Sequence, residues 1–184
     1  MRRVVIFDYA QGIVSIIPTE RIMSHVVLGS LSKYQVCYTR VVHMICELEP
    51  IALPVTPLRF DLSFLHHVLE LLLRFVPFSV PFADIYEHCL LLYHESINFL
   101  VGQKLFQYLF LSKLFGMLGV YPSEDVFNQY KDIRLLVTQP FENMLIRGYS
   151  VAQSDLRIWL LGCIHTHHHA KIFTTLSLYS EEGK

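Results

Sequence analysis

Residues 60–122, FDLSFLHHVLELLLRFVPFSVPFADIYEHCLLLYHESINFLVGQKLFQYLFLSKLFGMLGVYP, decide the fold of this chain. The stretch is typical of three consecutive helices with more apolar surface than isolated helices can expose, and in the first of them apolar residues recur at spacings of three and four. The first helix carries two adjacent apolar rows, which are Leu62, Leu65, Leu69, Leu72 and Val76, and beside them Phe64, Val68, Leu71 and Phe75. Such a wide apolar surface needs neighbours to cover it. We therefore expect residues 60–122 to form a helical hub on which the rest of the chain packs.

The ends of the hub helices carry recognisable signals. Asp61 offers a side-chain acceptor to the first free amides, and Pro77 ends the first helix because it has no amide donor. At the end of the third helix Gly119 is free to adopt the left-handed conformation, with Pro122 just beyond it. The polar residues of the first helix form one narrow stripe, which is predicted to face solvent: Ser63, His67, Glu70 and Arg74.

The composition of the 184-residue chain excludes several classes of protein. Apolar residues make up 53% and charged residues 17%, which excludes a disordered chain. The longest stretch without Asp, Glu, Lys or Arg, residues 158–170, contains four histidines and is shorter than the roughly 18 residues of a membrane span. Asp8 interrupts the apolar run after Arg2 and Arg3, so a signal peptide is not expected. The four cysteines are scattered, which favours a reduced, intracellular protein.

The first 57 residues differ in character from the hub. VVIFDYA, GIVSIIP and YQVCYTRVVHMICELEPI are rich in β-branched and aromatic residues and predict strands. The proline-rich segment PIALPVTP is a natural boundary. Beyond the hub, SVAQSDLRIWLLGCIHTHHHAKIF predicts one further long helix. The predicted fold class is therefore α+β and mainly α, with a β module over residues 1–57 and a helical domain over residues 58–184.

No motif in the sequence points to an enzyme or to a cofactor. A phosphate-binding glycine loop, G-x-S-x-G and H-E-x-x-H are all absent. His165, His168 and His169 share a helical face at spacings that suit a metal, but no carboxylate lies at a useful spacing from them. We favour partly protonated imidazoles at a helix end, with a metal-binding regulator as the alternative. The other hub histidines are interpreted as polar-stripe residues: His66, His67, His88 and His94.

Two sets of cations are candidate binding residues. In the β module, basic residues interleave with tyrosines, as on surfaces that bind single strands: Arg2, Arg3, Arg21, Lys33 and Arg40, with Tyr34 and Tyr38. The alternative is that these charges only protect the edges of a sheet. On the helical part, an apolar groove rimmed by Lys104, Lys113 and Arg134 would receive an acidic peptide. The alternative there is that the chain itself fills every groove.

Several motifs follow one another in a recognisable order. After the β module come LGSLSKYQ and CELEPIALPVTPLRFDLSFLHHVLELLLRFVPF, in which an E-x-E-P segment leads through LR-x-D-L into a leucine-rich helix. Two helices later, KLFQYLFLSKLFGMLGVYP closes on a Leu-Gly-Tyr-x-Pro-like turn, followed near the C-terminus by LRIWLLGCIHTHHHAKIFTTLSLY. In this order the motifs resemble the RecO family of bacterial DNA-repair and recombination mediators. The resemblance covers most of the chain from about Gly12.

The resemblance implies a fold and a set of partners. RecO-like proteins have an N-terminal OB-fold barrel and a helical C-terminal domain. They bind single- and double-stranded DNA, engage the acidic tail of single-stranded-DNA-binding protein, and with RecR help to load the RecA recombinase. The resemblance thus implies a cytoplasmic, nucleoid-associated binding protein with no catalytic residue and no membrane partner. The basic set of the β module would contact DNA, and the rim cations would contact the acidic tail.

The chain departs from the family pattern at three points. An OB barrel needs five strands, and here only one strand precedes GIVSII, so we expect the barrel to lack its first strand. Where many relatives carry four zinc-binding cysteines, this chain has SEDVFNQYKDIR, so no metal is predicted. The net charge is -1, which favours weak or partner-dependent DNA binding. The alternative function is a helical scaffold or interaction protein that has lost DNA binding.

Overall fold

The computed structural model describes residues 3–27, 29–38, 43–52, 62–94, 100, 103–148 and 150–166. The chain divides into two compact units. The first unit comprises Met1–Phe60 and Leu72–Asn98, and the second comprises Asp61–Leu71 and Phe99–Lys184. This division differs from the predicted boundary after residue 57, because residues 72–98 cluster with the sheet.

The first unit is built on a four-stranded sheet. Its strands are β1 (Val4–Asp8), β2 (Gly12–Pro18), β3 (Leu31–Tyr38) and β4 (His43–Ala52), with the short helix α1 (Glu20–Met23) between β2 and β3. The strand order is β1-β2-β4-β3. The pairs β1–β2 and β3–β4 are antiparallel, whereas β2 and β4 run parallel where Ile17 and Pro18 meet Met44 and Ile45. The sheet therefore consists of two hairpins joined by one short parallel contact.

Local chemistry explains the turn between β1 and β2. The Asp8 carboxylate accepts hydrogen bonds from the backbone amides of Ala10 and Gln11, both at 2.8 Å, as an aspartate does in an Asx-turn. Gly12 follows with φ at +71°, and the Val80 carbonyl oxygen lies only 1.8 Å from where a Cβ of residue 12 would stand. Glycine is required here for its backbone conformation and for this close approach.

A small apolar core covers the inner side of the sheet. Val14, Ile16 and Ile45 from the strands form one buried cluster with Ile22 of α1. The remainder of the first unit follows α2 and contains the helix α3 (Ala83–Leu90) and a 3₁₀ turn (Leu91–Tyr93). A bridge between Ile13 and Phe78 joins this part to β2, and the Ser79 amide donates to the Ile13 carbonyl at 2.9 Å.

The second unit is helical. Its elements are the first part of α2 (Leu62–Phe75), then α4 (Lys104–Met117), α5 (Glu124–Gln129), α6 (Lys131–Thr138), α7 (Phe141–Gly148) and α8 (Gln153–Thr166). Helix α4 packs against α6, α7 and α8, and every residue from Phe106 to Ser112 in it is buried. The rings of Phe64, Phe106, Phe110 and Phe141 contact one another at centroid separations of 5.6–6.3 Å.

The structure confirms the predicted α+β, mainly α class. It contains the three hub helices as α2, α3 and α4, and Gly119 has a φ of +72° after α4. Asp61, the predicted capping residue, lies outside the described residues. Among the helices that the structure describes, none combines the length and apolar character needed to cross a bilayer.

Two sequence-based predictions about polar residues are wrong. On α2, His67 is only 3% exposed and Glu70 is buried, whereas His66 and Arg74 are exposed. His88 of α3 is also buried, while His94 is exposed. The physical reason is that α2 is buried on most of its circumference, so its exposed side chains narrow to one strip, formed by Ser63, His66, Leu73 and Arg74.

The cysteines are not all reduced in the structure. Cys37 of β3 and Cys46 of β4 form a disulfide across the two strands, with their Cα atoms 5.9 Å apart. A shift in the register of β3–β4 between Gln35 and Val36 gives β4 one extra residue beside this point, and this residue is Cys46. Cys89 and Cys163 are free thiols. The prediction of unpaired cysteines is therefore wrong for Cys37 and Cys46.

Candidate nucleic-acid interface and partner surface

The predicted DNA-binding cations are only partly described by the structure. Arg3, Arg21 and Lys33 are all exposed on the first unit: Arg3 precedes β1, Arg21 lies on α1 and Lys33 on β3. Arg2 and Arg40 lie outside the described residues, as does the side chain of Tyr38. The described cations thus come from three separate elements rather than from one continuous strand.

The outer face of the β3–β4 hairpin carries both signs of charge. Lys33 and Gln35 are exposed on β3, and in the antiparallel register they lie opposite Glu49 and Glu47 of β4, which are also exposed. Directly opposed residues of antiparallel strands have their Cβ atoms about 5 Å apart. Each phosphate that approaches Lys33 therefore meets two carboxylates on the neighbouring strand. This face attracts polyanions only weakly.

Tyr34 lies on the other face of β3 from Lys33, because successive side chains of a strand point to opposite sides. It is half-buried and packs against the core cluster of the sheet. Its hydroxyl donates a 2.8 Å hydrogen bond to the Asp8 carboxylate. Tyr34 is thus engaged inside the unit, and the structure does not bring it together with Lys33 on one surface.

Asp8 is a site residue that sequence reasoning missed. It receives two backbone amides in the β1–β2 turn and the hydroxyl of Tyr34 from β3. Its role in the turn could have been found from its position before the Tyr-Ala-Gln-Gly segment. Its bond to Tyr34 joins residues 26 positions apart, which no local pattern reveals.

Lys113, one of the rim cations, is used inside the helical unit. Its ammonium donates to the backbone carbonyls of Val137 at 2.9 Å and Gln139 at 2.8 Å. These carbonyls lie at the C-terminal end of α6, where the helix dipole favours a cation. Burial lowers the pKa of Lys113. The residue therefore fastens α4 to α6, and two of its three donors are already occupied.

Arg134 has a different environment. Its guanidinium carbon lies 5.1 Å from the centroid of the Phe127 ring, in cation–π geometry. Tyr121 meets the same ring edge-on at 5.5 Å, and Phe127 stacks on the buried Trp159 at 5.8 Å. Arg134 is half-buried and Tyr121 is exposed. We call Tyr121, Phe127 and Arg134 the aromatic–arginine patch; it offers a guanidinium held in place beside an exposed ring.

Lys104 is the first residue of α4 and is half-buried. It lies on a different helix from Arg134, whose helix is α6. The described surroundings of Arg134 include an exposed ring, that of Tyr121. No local pattern in the sequence predicts Phe127 beside Arg134, because the two side chains come from separate short helices.

The described residues do not bring together three metal-ligating side chains. His165 is exposed at the end of α8. His167, His168 and His169 lie outside the described residues, so the histidine cluster stays a prediction.

Comparisons with known proteins identify no relative of this chain. No family model, no curated protein and no solved structure matches the chain.

Proposed function

We propose that this chain is a DNA-repair and recombination mediator of the RecO type, a binding protein rather than an enzyme. The observation that carries the proposal is the sheet order β1-β2-β4-β3 with β2 and β4 parallel, followed along the chain by helices. In this order β1 and β3 are the two edges of the described sheet. One more strand, paired with both edges, would complete a five-stranded Greek-key barrel of OB type.

The proposed DNA contact lies on the first unit. Arg3, Arg21 and Lys33 are exposed there, and OB modules hold single strands through cations and stacked rings. Glu47 and Glu49 beside Lys33 oppose phosphate binding, which agrees with a net charge of -1. The proposed binding is therefore weak and strongly dependent on salt. In the bacterial cytoplasm it would act together with RecR during recombinase loading.

The proposed protein contact lies on the second unit. A peptide that combines carboxylates with an apolar or aromatic residue matches the aromatic–arginine patch, since guanidinium pairs with carboxylate and Tyr121 offers a ring. The acidic tail of single-stranded-DNA-binding protein has this chemistry. Double-stranded DNA would compete with this peptide only through contact of a phosphate with Arg134.

The first experiment measures binding of a fluorescent single-stranded oligonucleotide by anisotropy across a salt series. We expect the affinity to fall steeply with salt, and the double variant Arg21→Ala/Lys33→Ala to reduce the slope of log K against log salt by about 1 to 1.5. The matched control is Lys131→Ala/Arg147→Ala, which removes two exposed cations from the second unit. An unchanged slope in the first variant, or no binding at low salt, would overturn the proposed DNA contact.

A second experiment titrates the tail peptide of single-stranded-DNA-binding protein against the chain by calorimetry. Arg134→Ala should weaken binding by about 10-fold or more, as expected for loss of a charge-assisted hydrogen bond worth roughly 1.5–3 kcal/mol. Arg147→Ala, on an exposed helix face away from any described ring contact, is the control. Equal affinities of the two variants would exclude the aromatic–arginine patch as the contact.

The second candidate function is a helical interaction protein without DNA binding. It is favoured by exposed apolar side chains on the second unit, where Leu135 is 58% exposed and Ile146 75% exposed, and by the mixed charge of β3–β4. The two experiments separate the candidates. Peptide binding without oligonucleotide binding supports the interaction protein, and binding of both supports the mediator.

A further inference from the structure

The first unit contains a cavity of about 450 Å³. Residues of β1 and β3, the two edges of the described sheet, both line it, and α3 with the 3₁₀ turn supplies another wall. Cavities that bind small molecules measure roughly 300–1,000 Å³. The two edges of the described sheet therefore border one partly open space of ligand size.

The walls of the cavity are mainly apolar. Ile6, Val26 and Leu48 line it and pack against the core cluster, yet each remains half-buried, whereas Ile45 behind them is completely buried. Their uncovered apolar surface faces the cavity. Removing apolar surface from water is favourable by roughly 25 cal/mol per Å², so an apolar occupant stabilises this arrangement.

The polar groups that line the cavity differ in whether their hydrogen bonds are already made within the protein. The Tyr93 hydroxyl donates to the Gly29 carbonyl, and Asp8 accepts from Tyr34 and from two backbone amides. Tyr86 instead packs its ring against Phe7 and Tyr9, and its hydroxyl makes no hydrogen bond to another residue that the structure describes. Tyr86 is half-buried and lines the cavity. Its hydroxyl is a donor that is available to a ligand.

The charges around the cavity favour an uncharged ligand. Asp8 and Arg3 both line it and carry opposite charges. Burial, together with the negative charge of Asp8, raises the pKa of Tyr86, and burial raises the pKa of Cys89 to about 12. Both groups therefore stay protonated at neutral pH. An anion in the cavity would be repelled by Asp8, and a cation would be repelled by Arg3.

We propose that this cavity is a binding site for an uncharged, mainly apolar small molecule that accepts a hydrogen bond from the Tyr86 hydroxyl. Two fused or linked rings with one carbonyl or ether oxygen have the matching chemistry. The rings pack against Phe7 and Leu48, and the oxygen reaches Tyr86. Of the proposed DNA-contact residues, Arg3 also lines the cavity, whereas Arg21 and Lys33 do not. The contact with Tyr86 is therefore independent of Arg21 and Lys33.

The test uses prodan, an uncharged naphthyl ketone whose emission shifts to the blue in apolar surroundings and to the red when its carbonyl accepts a hydrogen bond. We expect saturable binding of one prodan per chain. Tyr86→Phe should weaken binding about 2- to 10-fold, the effect of one lost hydrogen bond worth roughly 0.5–1.5 kcal/mol, and should shift the bound emission further to the blue. Val26→Trp, which fills the cavity, should weaken prodan binding at least 10-fold.

Two controls keep the test decisive. Leu135→Trp adds the same ring to an exposed position of α6 and should leave prodan binding unchanged. In the unaltered chain, saturating prodan should slow the alkylation of Cys89, which lines the cavity, and should not slow that of the buried Cys163. Because protection of Cys89 is measured in the unaltered chain, it does not depend on whether any variant folds. Unsaturable binding, unaltered affinity in a folded Val26→Trp variant, or absence of Cys89 protection would each overturn the proposal.

Discussion

The two units of this protein use their aromatic rings in opposite ways. In the second unit, Phe64, Phe110, Phe115 and Trp159 are at most 1% exposed and fill a continuous core. In the first unit the rings of Phe7, Tyr34, Tyr86 and Tyr93 are half-buried and surround a cavity. Buried aromatic rings contribute the largest apolar areas of any side chain. The comparison indicates that the second unit uses this area for stability, whereas the first leaves part of it uncovered at the cavity.

The difference follows from the residue types. Phenylalanine has no polar atom, so burying it completely leaves no unsatisfied group. Tyrosine must give its hydroxyl a partner, and in the first unit these partners are Asp8 for Tyr34 and the Gly29 carbonyl for Tyr93. The tyrosines around the cavity are accordingly half-buried: Tyr34, Tyr86 and Tyr93. Residue type is one contribution only, because Phe7 beside them is also half-buried and Tyr108 of the second unit is buried.

The largest expected effect comes from removing a ring of the second unit. Phe110→Ala deletes a fully buried side chain that contacts three other phenylalanine rings and should lower the free energy of unfolding by about 3–5 kcal/mol. Leu48→Ala in the first unit should cost only about 1–2 kcal/mol, because Leu48 already borders a cavity. Urea denaturation followed by circular dichroism measures the first change and hydrogen exchange of β4 the second. Equal losses would contradict the contrast between the units.

Two glycines with nearly the same backbone conformation give the next contrast. Gly12 has φ at +71° with the Val80 carbonyl in the place of a Cβ, whereas Gly119 has φ at +72° with nothing within 4 Å. Gly119→Ala should cost about 1–2 kcal/mol for the left-handed conformation alone. Gly12→Ala should cost about 3 kcal/mol, since the clash is added. Thermal unfolding of both variants tests this, and a larger loss for Gly119→Ala would refute it.

Reduction of the disulfide should weaken the first unit alone. The bond between Cys37 and Cys46 closes a short loop, sequence separation 9, and such a constraint on the unfolded chain is worth about 2 kcal/mol. We expect reductant to speed hydrogen exchange in β3 and β4 and to leave α4 and α8 unchanged. Cys37→Ser should behave like the reduced protein with or without reductant. Four titratable thiols in the protein unfolded without reductant would instead show that the bond does not form, as in a reducing compartment.

The smallest expected effect is on the alkylation rates of the two free cysteines, and it separates reagent access to the thiol from ionisation of the thiol. Burial raises the pKa of both free thiols to about 12, so each presents only a small thiolate fraction at neutral pH, and this fraction rises tenfold per pH unit up to mildly alkaline pH. Cys89 lines the cavity, whereas Cys163 is completely buried. N-ethylmaleimide should therefore modify Cys89 at least tenfold faster, equivalent to about 1.4 kcal/mol in barrier. Mass spectrometry of the two peptides measures both rates, and equal rates would mean that the cavity admits no reagent.

The raised pKa values of the two thiols also determine how the stability of the folded protein changes with pH. A thiol whose pKa is raised from 9.0 to about 12 on folding stabilises the folded state fully below pH 9. That contribution is lost as the pH rises from 9 towards 12, because the unfolded chain ionises first. Cys89→Ala and Cys163→Ala should each flatten this alkaline decline.

Regular patterns in the sequence were sufficient to predict the helices and strands, but not the contacts that these elements make with one another. Spacings of three and four predicted α2, the signals at Gly119 and Pro122 predicted the end of α4, and the β-branched segment at residues 12–18 predicted β2 with its bounds. Glycine chemistry predicted the positive φ of Gly119. These features depend on neighbours within one or two turns of chain. The fold class followed from them.

Features that join distant residues could not be predicted in this way. The Cys37–Cys46 bond depends on a shift in the β3–β4 register, and the bonds of Lys113 depend on where α6 ends. The burial of His67 depends on how many neighbours cover α2. In each case the local pattern allowed several outcomes, and tertiary packing selected one. The candidate site was therefore predicted as a set of cations but not as a geometry.

Trp159 gives the aromatic–arginine patch an optical property. It is the single tryptophan of the chain, and Phe127, the ring beneath Arg134, stacks directly on it. A ligand that draws the guanidinium away from Phe127 changes the electric field and packing around the indole. Intrinsic fluorescence of the unlabelled protein therefore reports occupancy of this patch, and because Trp159 belongs to the second unit, it reports on that unit selectively.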